Sequence, residues 1–132
     1  MFLQLLKEAK ARDIRVITDG VWKHTGRDFF AFTDIRSNNH RSPFTRWYDI
    51  IRFDDPHTEH NEFDYNGWHG FKSLPVFAND PSEHNLAQGP KDYIFQATKR
   101  SMDPNGDGDP SGGFDGWRLD VAEEVPQDFW HE

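Results

Sequence analysis

No cysteine occurs in the 132 residues, which excludes disulfides, thiolate nucleophiles and thiolate metal ligands. Positive charge is scarce too. Fifteen Lys and Arg stand against 23 Asp and Glu, a formal net charge of -8. The basic residues form no block and no basic helix, so nucleic acid and an anionic membrane surface are poor partners. No apolar run approaches the ~20 residues of a membrane-spanning helix. The first residues, Met1-Phe2-Leu3-Gln4-Leu5-Leu6-Lys7, lack a basic segment followed by a long apolar core, and so do not read as a signal peptide. Internal repeats and low-complexity tracts are absent as well.

Aromatic residues, by contrast, are plentiful. They make up 15% of the chain, with five Trp and twelve Phe. Aromatics carry the largest apolar payload per residue, so a core is one use for them. Many stand among Asp, Asn, His and Gly, a mixture that also suits a sugar-binding cleft. The length is that of one domain.

Phe2, Leu5, Leu6 and Ala9 recur at helical spacing and predict a helix from Met1 to about Arg12. Ile14 to Val21 is rich in β-branched residues and reads as a strand of the buried, parallel kind. From Gly26 to about Gly89 the periodicity is lost, and aromatic clusters (Phe29 to Phe32, Trp47-Tyr48, Trp68) stand among turn residues. So long a stretch without regular structure is usually functional. Pro90 to Met102 reads as a second helix, and Gly113 to Val121 as a second strand. Helix, strand, long insertion, helix, strand predicts an α/β fold. The expected divisions are 1–25, 26–89 and 90–132.

In that second strand, Gly116, Arg118 and Asp120 share one face by alternation. A guanidinium beside a carboxylate favours the ionised form and lowers its pKa. An ionised Asp at the C-terminal end of a strand is a candidate nucleophile. Taken alone, Arg-x-Asp is more often a surface ion pair.

With Val121-Ala122-Glu123-Glu124-Val125 following it, this stretch resembles the nucleophile strand of the α-amylase family of glycoside hydrolases. Asp19-Gly20-Val21-Trp22-Lys23-His24 resembles that family's Asp-x-Val-x-Asn-His segment. Leu74-Pro75-Val76-Phe77 is similar to the short segment of its inserted subdomain. The resemblance runs over essentially the whole chain and looks closest to the maltodextrin- and cyclomaltodextrin-degrading, neopullulanase-like members. It implies a partial (β/α)8 TIM barrel. The third and fourth strands and their flanking helices would be present, with an irregular inserted subdomain forming one wall of the substrate cleft. It implies that Asp120 is the nucleophile of a retaining reaction and that Arg118 orients it. Asp19 and His24 would stabilise the local architecture and contact the sugar at the cleavage point, and the partner would be an α-glucan. Trp68 and Trp47 are candidate sugar platforms, or else anchors of the subdomain.

The departures carry expectations of their own. Lys23 stands where the family has an Asn that often ligates a structural calcium, and an ammonium cannot bind a cation. Glu123 stands where the dextrin-degrading relatives often have Asn. The family's general acid lies on a later strand, and no residue here matches it. The isolated chain is therefore expected to be inactive. It should either self-associate or belong with the remainder of a longer chain. The alternatives are a non-catalytic module that binds carbohydrate or calcium, and an inactive truncated or artificial chain. Asp103, Asn105, Asp107 and Asp109, with Gly108, resemble the first half of a calcium loop. Phe114 replaces the Glu that would complete it, with Asp115 as a substitute ligand. The same residues also suit a helix stop followed by turns.

Overall fold

The computed structural model describes residues 2–132. In chain order the elements are α1 (Phe2–Lys10), β1 (Ile17–Val21), α2 (Phe30–Asn38), β2 (Ile50–Arg52), β3 (Asp64–Tyr65), β4 (Gly67–Trp68), β5 (Phe71–Pro75), α3 (Gln88–Met102) and β6 (Gly116–Asp120). Short 3₁₀ turns lie among them. The chain divides into two compact units, one of Met1–Val21 with Asp92–Asp120, the other of Trp22–Lys91 with Val121–Glu132.

The first unit is built on a parallel pair. β1 and β6 align so that Asp19 faces Arg118 and Val21 faces Asp120. Asp115 fastens the start of both strands. Its amide donates to the Val16 carbonyl at 2.9 Å, and its carboxylate accepts from the Val16 amide at 2.7 Å. α1 buries Leu6 and Ala9, and Phe2 meets the Phe114 ring edge-on at 5.0 Å. The return from α3 to β6 is tight, because a Cβ on Gly113 would fall 2.0 Å from the Met102 carbonyl oxygen.

The strand predicted over Ile14 to Val21 is shorter and less buried than expected. Ile14 is 54% and Ile17 65% exposed, and only Gly20 of β1 is buried. Two strands make no closed barrel, and a parallel pair without further strands leaves apolar side chains uncovered. Leu119 on β6 is exposed for the same reason.

The second unit corrects the expectation that 26–89 is irregular. It contains α2 and two small antiparallel sheets, β2 with β3 and β4 with β5. α2 buries Ala31, Phe32 and Ile35, a spacing of one and then three residues that fits one helical face. The run Phe29-Phe30-Ala31-Phe32 hides this periodicity, because Phe30 falls on the exposed side. Phe32 is fully buried, edge-on to Tyr65 at 4.7 Å and to Tyr48 at 5.0 Å.

The Leu74 to Phe77 segment runs beside the His24 segment. The Thr25 amide donates to Pro75 and the Phe77 amide to Lys23, with His24 bridging Val76 and Tyr48 bridging Phe77. The last residues form two 3₁₀ turns and fold back onto this unit. Phe129 is buried, and the Glu132 carboxylate accepts from Asn85 Nδ2 at 2.7 Å and Lys91 Nζ at 2.9 Å.

Candidate active site

The register of β1 and β6 sets three charged side chains side by side at the C-terminal ends of two parallel strands. Arg118 is the middle one. Its Nη1 donates to Asp19 Oδ1 at 2.5 Å, and its Nη2 donates to Asp120 Oδ1 at 3.1 Å. The Arg–Asp pair read from alternation is therefore present, but Arg118 is shared. Asp19 makes the shorter bond and is the main reason that the guanidinium holds its proton even more firmly than usual, with Asp120 adding to it. The resemblance implies a place beside the sugar for Asp19 and no link to Arg118; that link exists because β1 and β6 are neighbours.

The Arg118 side chain is 62% exposed and that of Asp120 27%. Exposed ion pairs contribute little to stability, so the fork is better explained by orientation than by fold energetics. Asp120 Oδ1 is held, while its Oδ2 has no hydrogen-bond donor among the described residues. One oxygen fixed and one available is the arrangement that a nucleophilic carboxylate needs. The next residue, Val121, takes left-handed dihedrals, φ 44° and ψ 42°. A β-branched residue there costs about 1–2 kcal/mol. The chain thus turns sharply directly after Asp120.

His24 and Trp68 lie together in the second unit. Their ring centroids are 5.4 Å apart, with the planes inclined by 32°. His24 is buried and Trp68 half-buried. Trp68 sits at the tip of the β4–β5 hairpin, where Gly67 permits the close crossing. A Cβ on Gly67 would lie 2.2 Å from the Phe71 carbonyl oxygen. The indole Nε1 of Trp68 donates to Glu124 Oε2 at 2.9 Å, and Glu124 Oε1 lies 2.9 Å from His69 Nε2. These contacts, with His69 first, hold the Glu124 carboxyl below its ordinary pKa, and the charge of Lys23 acts in the same direction.

Neither Glu124 nor His69 stands out in the sequence as a site residue. The available signal was Glu124's place four residues after Asp120, within the matched stretch. Trp47 meets Phe44 and Phe30 edge-on at 5.1 and 5.9 Å. It also packs so closely on Gly89 that a Cβ there would lie 2.1 Å from its Nε1. Those contacts favour the anchor reading for Trp47.

The Asp103 to Asp109 loop uses its carboxylates on itself. Asp103 accepts from the amides of Gly106 and Gly108 at 2.8 and 2.9 Å. Asp107 accepts from Asn105 Nδ2 at 2.6 Å and the Asp109 amide at 2.8 Å. Asp109 accepts from the Ser111 amide and hydroxyl at 2.9 and 2.8 Å. Gly106 and Gly108 have positive φ, as such turns require. Among the described residues no three His, Asp or Glu side chains gather around one point. No helix of the described residues is long and apolar enough to cross a membrane.

Residues 1–131 match the family model described as "Alpha amylase, catalytic domain". An amylopullulanase of Thermoanaerobacter thermohydrosulfuricus is 35% identical over 150 residues, an alignment that takes in 98% of this chain and 9% of that protein. Neopullulanase 2 of Thermoactinomyces vulgaris is 31% identical, over 99% of this chain and 20% of its own length. Among solved structures, a debranching enzyme of Nostoc punctiforme superposes with a TM-score of 0.74 at 34% identity. That match covers 98% of this chain and 25% of the other. The chain thus spans a quarter or less of each of these relatives.

Proposed function

The chain belongs to the α-amylase family of glycoside hydrolases, and from that premise we propose that it is a segment of a retaining, α-glucan-active enzyme in which Asp120 is the nucleophile. The observation that carries this reading is the Arg118 fork, which orients Asp120 through Nη2 while Asp19 holds Nη1. Asp120 attacks the anomeric carbon, the glycosidic bond breaks, and a glycosyl ester forms that water later hydrolyses with net retention. Arg118 acts as a fixed cation that cannot lose its proton. His24 and Trp68 contribute the substrate-binding surface, and starch, maltodextrin and cyclodextrin are the substrate class.

In this reading β1 and β6 are the third and fourth strands of a barrel, and 26–89 is its cleft subdomain. The exposed Ile14, Ile17 and Leu119 would then meet further protein, either more of a longer chain or a second copy.

A substrate that needs no protonation isolates the nucleophile. Fluoride leaves an anomeric carbon without help from an acid, so α-maltosyl fluoride should release fluoride in the presence of the chain. Release should fall to background in Asp120→Asn. Binding of maltoheptaose without any fluoride release would instead favour a non-catalytic carbohydrate module.

Calcium at the loop requires Asp103, Asn105, Asp107 and Asp109 to exchange their internal donors for an ion. A ligand that prefers the native state raises its melting temperature. Calcium binding would appear as such a rise, partly lost in Asn105→Ala and wholly lost in Asp107→Ala. Equal melting curves with calcium and with chelator leave the turn alone.

A further inference from the structure

The second unit contains a polar cluster that the proposed chemistry does not use. Glu124 ends a 3₁₀ turn of Ala122–Glu124, four residues beyond Asp120. Its amide is held by the Val121 carbonyl at 2.9 Å, so the backbone that carries the carboxylate is fixed. Each of the two carboxylate oxygens takes a different ring: Oε2 the indole of Trp68, and Oε1 the imidazole of His69, both at 2.9 Å.

The two rings are adjacent and nearly perpendicular, with centroids 4.6 Å apart at 81°. His69 reaches this position with a left-handed backbone, φ 47°. Such a φ is uncommon outside glycine, although His tolerates it better than most residues. The hairpin is closed behind the pair by the Gly70 amide donating to the Gly67 carbonyl at 2.9 Å. His24 also lies against the Trp68 ring.

We infer that Glu124 is a positioning residue whose carboxylate grips the Trp68 indole and the His69 imidazole together, and so fixes the aromatic surface that lies against His24. A tryptophan at a hairpin tip, half-buried and on a two-residue strand, would otherwise sample several rotamers. A sugar ring stacking on it would then have to select one of them, which weakens binding by the population excluded. Glu124 removes that freedom before the ligand arrives. The same two bonds occupy both of its oxygens, so it is not poised as the proton donor of the reaction. The ligand part of this inference rests on the reading of Trp68 as a sugar platform, whereas the clamp itself does not.

The test therefore has a ligand-free arm and a ligand arm. In the first, the Trp68 indole N–H resonance is assigned by its loss in Trp68→Phe. Its chemical shift should move in Glu124→Ala, with proton exchange at least about tenfold faster, the order expected for one net hydrogen bond. In Glu124→Gln the side-chain carbonyl can still accept from the indole, and both readouts should return towards the parent values. An indole resonance indifferent to Glu124→Ala overturns the clamp.

In the second arm, maltoheptaose binding is titrated. Trp68→Ala and Glu124→Ala should both weaken it, and Glu124→Gln should restore it. Loss in Trp68→Ala with none in Glu124→Ala contradicts positioning while keeping the platform. Binding indifferent to Trp68→Ala removes the platform, and the indole resonance then decides the clamp by itself.

Discussion

Starch, maltodextrin and cyclodextrin should remain intact when incubated with the 132-residue chain, even at concentrations where maltosyl fluoride is consumed. A natural α-glucan leaves through an alkoxide-like oxygen that must be protonated as the bond breaks. Positioned acid catalysis of this kind is worth roughly 10²–10⁴-fold. A retaining site places its acid about 5 Å from the nucleophile, across the scissile bond. The carboxylates next in sequence do not fit that role. Both oxygens of Glu124 are taken, and its contacts with His69 and Trp68 favour the ionised form. Glu123 is exposed and stands where the dextrin-degrading relatives often have Asn, which is no acid. A reducing-sugar assay reads the outcome. Sugar released by the parent and not by Asp120→Asn would show that an acid is supplied within this chain or by a second copy. Loss of that release in Glu124→Gln would assign it to Glu124 and end the positioning role.

Phe32→Ala should cost about 3–5 kcal/mol, the range for deleting a buried phenyl ring. Phe32 has no exposed surface. It is the ring on which Tyr48 and Tyr65 both stand edge-on, and Phe63 lies 6.0 Å away. Tyr48 in turn bridges Phe77 and exchanges a hydrogen bond of 2.9 Å with Thr25, next to His24. The cavity would therefore loosen the strand pairing beneath His24 as well as the core. Since a domain is stable by only about 5–15 kcal/mol, much of the unit's margin would be gone. Urea denaturation followed by tyrosine and tryptophan fluorescence measures it. Phe32→Leu keeps most of the volume and should cost less than the alanine variant. A loss under about 1 kcal/mol for Phe32→Ala would mean that Phe32 is not the centre of this core.

The two strands and two of the three α-helices were legible because their apolar periodicity is strong and their ends are marked by Gly, Pro and charge. α2 was not. Its buried set, Ala31, Phe32 and Ile35, is only three residues long, and the exposed Phe30 beside it makes the run look uniformly aromatic. β2, β3 and β4 are two or three residues each, too short for alternation to register. β2 finds its partner β3 only across a long loop, with Ile50 facing Tyr65.

At the site, alternation along β6 correctly paired Arg118 with Asp120. It could not reveal that Asp19, 99 residues away, holds the same guanidinium, because that depends on which strands are neighbours. Glu124 stayed hidden for a related reason. A single Glu in an acidic run carries no mark of the indole and imidazole that occupy it, 56 and 55 residues earlier.

The nucleophile can be observed directly as a covalent ester. A maltosyl fluoride with a second fluorine on the reacting ring loses fluoride but destabilises the oxocarbenium-like transition states on both sides of the intermediate, so the glycosyl-enzyme persists. After incubation with this reagent, intact-mass measurement of the chain should show one added fluoromaltosyl residue. Peptide mapping should place it on Asp120, and Asp120→Asn should remain unmodified. A chain that binds maltoheptaose yet forms no adduct, or an adduct on any other residue, would contradict Asp120 as the nucleophile.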